Sequence, residues 1–315
     1  MERYGFGIDL GGTTCKLGLF QVDGTLMEKW EIPTDTRENG KNVLPDIAAS
    51  VEEKIRQHHI SREQIIGAGI GVPGAVNNEG VVNRCINLGW GIVPVSKELS
   101  SLLSVPVYTA NDANVAALGE AWKGSGNGYS SIAMITLGTG IGGGVVLDGQ
   151  IINGFHGAAG ELGHIVVNPE EQAACNCGNH GCIEQYASAT GIVRQARKQL
   201  AESSVDSVLR KEQDLSAKSV FDAAKAGDVL AKKIAEEVCD MLGRVIGTIC
   251  NVINPEAVII GGGVSRAGDI LLELVQEGFR NSVFHASRDT VIRLASLGND
   301  AGIYGAMKLF LNKDN

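Results

Sequence analysis

The strongest constraint on the fold of this chain is a pattern that occurs twice. In the first half, three short apolar segments, residues 4–10, 15–21 and 25–32, are separated by Gly-Gly-Thr-Thr and Asp-Gly turns, which predicts a β-meander. The pattern restarts at Ile132: an apolar run over 132–137, a Gly-Thr-Gly turn, a run over 145–147, an Asp148-Gly149 turn, then Ile151-Ile152. Each meander is followed by alternating helices and strands. The first half has helical spacing over 43–58 and strands at 65–72 and 105–109. The second has Leu230, Ile234, Val238, Met241, Val245 and Ile249 at helical spacing, then a strand at 257–260 and a helix over 267–279. The economical architecture is a duplicated α/β fold, two lobes around a cleft, with an N-terminal lobe of residues 1–125 and a C-terminal lobe of 126–315. Residues 203–216 are polar and aperiodic, which predicts a surface connection.

Composition agrees with a folded chain: 44% of residues are hydrophobic and 20% charged, over a length of 315 that suits two cores. A net charge of −9 argues against sequence-independent nucleic-acid binding, because such a surface repels phosphate backbones. The N-terminus reads as lacking a signal peptide, so the cytoplasm is the expected location. Residues 124–147 carry no charge, the one stretch long enough to suggest a membrane span. Its many glycines fit two buried strands and their loops better. Seven cysteines, three within residues 175–182 and four scattered, do not form a disulfide framework.

Glycine is in excess, 42 residues where an average composition of roughly 7% would give about half as many. Much of the excess sits in three loops. Asp9-Leu10-Gly11-Gly12-Thr13-Thr14 lies between two predicted strands, where backbone N–H groups and hydroxyls can meet an anion, and Asp9 can hold Mg²⁺ through water. A plain tight hairpin with a turn aspartate reads equally well from these residues alone. Gly138-Thr139-Gly140-Ile141-Gly142-Gly143-Gly144 contains a G-x-G-x-x-G match. It is followed by a strand rather than a helix, which excludes a nicotinamide-binding turn. Gly261-Gly262-Gly263 follows an apolar strand and suits contact with a nucleotide. No P-loop match occurs.

Two further clusters carry chemistry. Asn111-Asp112-Ala113-Asn114 ends a strand and opens a helix, so Asp112 is expected to cap that helix; the C-terminal end of such a strand is also where α/β folds place reacting groups. Glu161-Leu162-Gly163-His164 precedes Cys175-Asn176-Cys177-Gly178-Asn179-His180-Gly181-Cys182-Ile183-Glu184. Three thiolates at this spacing, with His164 or His180 as the fourth ligand, predict a closed, structural zinc site.

Taken in order, Asp9-Leu10-Gly11-Gly12-Thr13, Gly71-Val72-Pro73-Gly74, Asn111-Asp112-Ala113-Asn114, Leu137-Gly138-Thr139-Gly140-Ile141-Gly142, Glu161-Leu162-Gly163-His164 and the motif from Cys175 to Glu184 resemble the ROK family of sugar kinases and repressors, most closely its bacterial glucokinases. The resemblance implies an actin-like ATPase (ribonuclease H-like) fold and ATP, with its Mg²⁺, bound by Asp9, Gly11, Gly12, Thr13, Gly138, Thr139, Gly140, Gly261, Gly262 and Gly263. It implies zinc held by His164, Cys175, Cys177 and Cys182. It also implies Asp112 as the general base that contacts the reacting hydroxyl, with Asn111, Glu161, His164 and Glu184 hydrogen-bonded to sugar hydroxyls and Gly74 against the sugar. Asn87 matches more loosely and is left out of that set. A homodimer is implied as well, while the net charge and the glycine-rich composition of residues 124–147 argue against nucleic-acid and membrane partners.

Chemistry is consistent with these roles: a sugar hydroxyl needs a positioned carboxylate to take its proton as the γ-phosphate is attacked. The expected activity is transfer of the ATP γ-phosphate to the 6-hydroxyl of glucose. The alternatives are kinases for fructose, mannose, N-acetylmannosamine or N-acetylglucosamine, and a sugar-binding regulator without turnover. Such regulators carry a helix-turn-helix segment ahead of the first glycine loop, and the eight residues before Asp9 are too few for one.

Overall fold

The structure is a computed structural model that describes residues 2–313. The chain runs β1 (Tyr4–Leu10), β2 (Thr14–Gln21), β3 (Leu26–Pro33), a kinked turn α1 (Arg37–Gly40), α2 (Val43–Gln57), β4 (Ile65–Val72), α3 (Val95–Leu103), β5 (Val107–Asn111) and α4 (Asp112–Lys123). It continues through β6 (Ile132–Leu137), β7 (Ile141–Leu147), β8 (Gln150–Ile151), α5 (Glu184–Ala187), α6 (Ala189–Glu202), α7 (Ala217–Lys225) and α8 (Val229–Ile253). The last elements are β9 (Ala257–Gly261), α9 (Asp269–Arg280), β10 (Val291–Leu294) and α10 (Ala301–Lys313).

The duplication expected from the two meanders appears in the sheet topology. One sheet has the order β3-β2-β1-β4-β5, the other β10-β9-β6-β7-β8, and the second is the first with every strand advanced by five. The β1–β2–β3 meander and the β7–β8 hairpin are antiparallel, and the strands reached through helices are parallel. The central parallel strands β4, Ile-Ile-Gly-Ala-Gly-Ile-Gly-Val, and β9, Ala-Val-Ile-Ile-Gly, are apolar throughout and buried on both faces, whereas the edge strands β5 and β10 carry polar residues.

Two compact units form, residues 1–130, 144–160 and 297–315 in one, 131–143 and 161–296 in the other. This differs from the single boundary expected after residue 125. The chain returns because α10 is apolar along most of its length and packs on α4, β1 and β4 of the first unit. A helix that buries one stripe must find its sheet wherever that lies in sequence. In the first unit Phe6, Ile8, Leu10, Leu17 and Leu19 pack with Ile47 and Val51 of α2. In the second, Ile135, Val258 and Ile260 pack with Ile234, Val238 and Leu242 of α8. Each such side chain contributes about 1.5–3 kcal/mol relative to exposure.

Several boundaries move, among them the strand expected over 105–109, which runs Val107–Asn111. The strand after Gly140 begins at Ile141, so the three glycines 142–144 lie in β7. A 3₁₀ turn over Gly263–Ala267 precedes α9, which starts at Asp269 rather than Ala267. Among the described residues no helix is long and apolar enough to cross a membrane.

Candidate active site and metal loop

In the first unit, β1 and β2 pair antiparallel so that Asp9 faces Lys16 across the hairpin and Leu10 faces Cys15. Gly11 N–H donates to the Thr14 carbonyl at 3.0 Å and closes the turn, while the Thr34 hydroxyl donates to the Gly11 carbonyl at 2.8 Å. Asp9 sits against the first turn of α10, where a Cβ on Gly302 would lie 2.4 Å from its carboxyl carbon. Burial pushes the Asp9 carboxyl above the usual range, and Lys16 opposes the shift. Asn87, set aside on sequence, lies beside this loop: a Cβ on Gly12 would be 3.4 Å from the Asn87 Cβ.

At the end of β5 the cap of α4 falls to Asn111 and not to Asp112. The Asn111 Oδ1 accepts from the N–H groups of Ala113 and Asn114, and its Nδ2 donates to the Gly74 carbonyl at 3.1 Å. Asn111 wins because its backbone is still extended, the conformation a capping residue needs, whereas Asp112 is already helical. One side chain therefore ties the end of β5 to the Pro73-Gly74 turn after β4. Gly74 has φ 101°, and a Cβ there would come within 2.5 Å of the Arg84 carbonyl, so the turn requires glycine. Asp112 opens the helix, with one carboxylate oxygen 2.8 Å from the Ala113 N–H. Its charge reaches the Cys85 thiol, which burial pushes up first and Asp112 pushes further.

In the second unit the Gly138–Gly140 loop has its carbonyls turned inward. Gly138 O accepts from Ala189 N at 2.8 Å, Thr139 O from the Thr190 hydroxyl at 2.7 Å and Gly140 O from Gly138 N at 2.9 Å. The third glycine cluster meets this loop: Gly262 has φ 84°, and a Cβ there would lie 2.5 Å from the Leu137 carbonyl. Glu184, on α5, accepts from the Ile141 N–H at 2.8 Å through Oε2, while its Oε1 lies 3.7 Å from the Cys175 thiol.

His164, Cys175, Cys177 and Cys182 come together with all four potential ligand atoms within 4.8 Å of one another. Cys177 and Cys182 Sγ are 3.7 Å apart, as are Cys175 Sγ and His164 Nδ1. A tetrahedral zinc with Zn–S near 2.3 Å and Zn–N near 2.0 Å sets those separations at about 3.8 and 3.5 Å. A disulfide needs about 2.05 Å. The residues fit zinc. His180 is exposed, pairs through its backbone with Ala174 and stands outside the cluster, so His164 is the fourth donor. Its other nitrogen, Nε2, faces the Glu161 carboxylate at 3.9 Å. Gly163 presses on the start of β7, where a Cβ would lie 2.2 Å from the Ile141 carbonyl. Burial pushes the Cys182 thiol up to about 12, whereas a backbone N–H at Asn179 lowers that of exposed Cys177. Sequence reasoning missed the supporting groups Gln185, Tyr186, Glu171 and Arg194, since nothing in the motif spacing marks them.

Two five-stranded sheets of the same strand order, glycine loops at their first hairpins and a Cys₃His loop define a protein of the actin-like ATPase fold. Residues 5–313 match the ROK family, and the chain belongs to it. It is 42% identical over 320 residues to a glucokinase of Halalkalibacterium halodurans, covering 100% of this chain and 97% of that protein. A glucokinase of Thermotoga maritima is 41% identical over 310 residues, 96% of either chain. Among solved structures, a ROK family glucokinase from Streptomyces griseus in complex with glucose and AMPPNP superposes with a TM-score of 0.75 at 30% identity, covering 97% of this chain and 98% of that one.

Proposed function

We propose that this protein is an ATP-dependent hexose kinase that phosphorylates the 6-hydroxyl of glucose, with Asp112 as general base. The observation that carries the assignment of the base is the cap of α4. Asn111 supplies the N-cap, and the Asp112 carboxylate, one oxygen of which accepts from the Ala113 N–H, stands at the C-terminal end of a parallel strand. Full-length similarity to two proteins named glucokinase supports the substrate.

In this reading the sugar O6 attacks the γ-phosphorus, its proton passes to Asp112, and the bond to the β-phosphate oxygen breaks to release ADP. Asn111, Glu161, His164 and Glu184 hold the other hydroxyls, with Gly74 against the sugar. The Asp9–Thr13 and Gly138–Gly140 loops and Gly261–Gly263 hold the nucleotide. Mg²⁺, held by Asp9 through water, would neutralise charge on the phosphates. Zinc would order the loop that carries Cys175 and Cys182 and fix the His164 ring. Two copies are proposed to form the working molecule, which sedimentation velocity tests.

The decisive experiment measures ADP release with glucose, fructose, mannose, N-acetylmannosamine and N-acetylglucosamine, each with ATP and Mg²⁺. Glucose is expected to give the highest kcat/KM. A higher value for an N-acetylhexosamine would move the assignment to that class, and turnover of none would leave a sugar-binding regulator.

A further inference from the structure

Three consecutive residues of α5 grip three different segments of the second unit. Glu184 accepts from the N–H of Ile141, the residue that leaves the Gly138–Gly140 loop. Gln185 reaches both arms of the metal loop: its Oε1 accepts from Gly181 N at 2.8 Å and Cys182 N at 3.2 Å, and its Nε2 donates to the Ala173 carbonyl at 2.9 Å. Tyr186 donates to Glu171 Oε2 at 2.8 Å and accepts from Asn168 Nδ2 at 2.9 Å. Arg194 of α6 pairs with the same Glu171 carboxylate. The Gln185 amide has only one workable orientation, because a flip would set its NH₂ against two N–H donors and its oxygen against a carbonyl.

We propose that α5 couples metal occupancy to the nucleotide loop, with Gln185 as the positioning residue on the metal side and Glu184 as the link on the other. The physical basis is the shortness of the element. Four residues form α5, so Gln185 cannot shift with the metal loop without moving Glu184, and Glu184 fixes where Ile141 sits. The second contact of Glu184, at Cys175, makes the link direct as well as through the backbone. The metal ion therefore acts on the phosphate side of the reaction through α5 as well as on the sugar side through His164. This inference rests on the proposed nucleotide role of the Gly138–Gly140 loop.

The test uses the full-length zinc protein, zinc-stripped protein and two variants, Gln185→Ala and Gln185→Glu. Zinc release to a chromogenic chelator and AMPPNP affinity by calorimetry are both measured, with circular dichroism as the check on folding. Gln185→Ala is expected to release zinc about 10–100-fold faster, the usual cost of losing a group that orients metal ligands. Gln185→Glu keeps both accepted bonds but sets its second oxygen against the Ala173 carbonyl, so it is expected to recover only part of that loss. Zinc stripping is expected to weaken AMPPNP binding about tenfold while far-UV dichroism is kept. Wild-type zinc release in Gln185→Ala, or unchanged AMPPNP affinity in folded zinc-free protein, overturns the coupling. If the zinc-loaded wild type binds no AMPPNP, the nucleotide reading itself fails, and with it the coupling, while the release rates still report whether Gln185 clamps the loop.

Discussion

Asn111 and Asp112 are neighbours with divided labour. Because Asn111 makes the cap and the bond to Gly74, Asn111→Ala is expected to cost about 0.5–2 kcal/mol in a denaturant titration. Asp112→Asn should leave stability and glucose affinity close to wild type and lower kcat by roughly 10²–10⁴-fold, the span of a general base. Turnover within a few fold of wild type would sink the assignment. Asp9 behaves in the opposite way. Its carboxyl is held above the ordinary range mainly by burial, so its charged form is less favourable in the folded state than in the unfolded one. The resulting penalty appears as pH rises from about 4, the unfolded value, and is complete once pH passes the folded value. Asp9→Asn is therefore expected to raise the melting temperature at pH 7 and to leave it unchanged near pH 3, while lowering activity. A gain that is equal at both pH values contradicts this account.

At the scale of elements, glycine has two uses, and the sequence displays only one of them. The loops around residues 11, 138 and 262 were legible because glycines cluster there between apolar runs. The glycines inside helices carry no such signal. A Cβ on Gly305 of α10 would lie 1.7 Å from the Val115 carbonyl of α4, and one on Gly119 of α4 would lie 2.1 Å from the Ala301 carbonyl. The two helices approach backbone to backbone, which only hydrogen side chains permit. Gly243 of α8 and Gly278 of α9 repeat the arrangement in the second unit, where their Cβ atoms would lie 2.4 Å from Val275 O and 2.6 Å from Asp240 O. The glycine excess is thus shared between site loops and helix packing. Gly305→Ala is expected to destabilise by about 1–3 kcal/mol or more, as overpacking does. Gly91→Ala, where nothing lies within 4 Å of the added carbon, should be nearly neutral. Equal effects in thermal melts would refute the close-packing explanation.

At the scale of the whole molecule, zinc content is the most direct check on the Cys₃His loop. Metal analysis is expected to find about one zinc per chain, and Cys177→Ser should lose the metal together with sugar affinity, because structural metal binding contributes folding free energy. Active protein without zinc would contradict that. The ligand set itself was readable as three thiols at close spacing. The choice between His164 and His180 was not, from spacing alone, since both lie within reach along the chain and only the folded loop shows which imidazole turns toward the thiols. The sequence by itself determined the duplicated α/β pattern, the three glycine loops and the metal loop, because hydrophobic period, turn residues and ligand spacing act over a few residues. Tertiary structure alone decided the return of α10 to the first unit, the transfer of the cap from Asp112 to Asn111 and the grip of α5 on two loops. The first follows from which sheet the apolar stripe of α10 finds, the second from where the chain leaves the extended conformation at the end of β5, and the third from which backbone groups of other segments lie within about 3 Å of the α5 side chains.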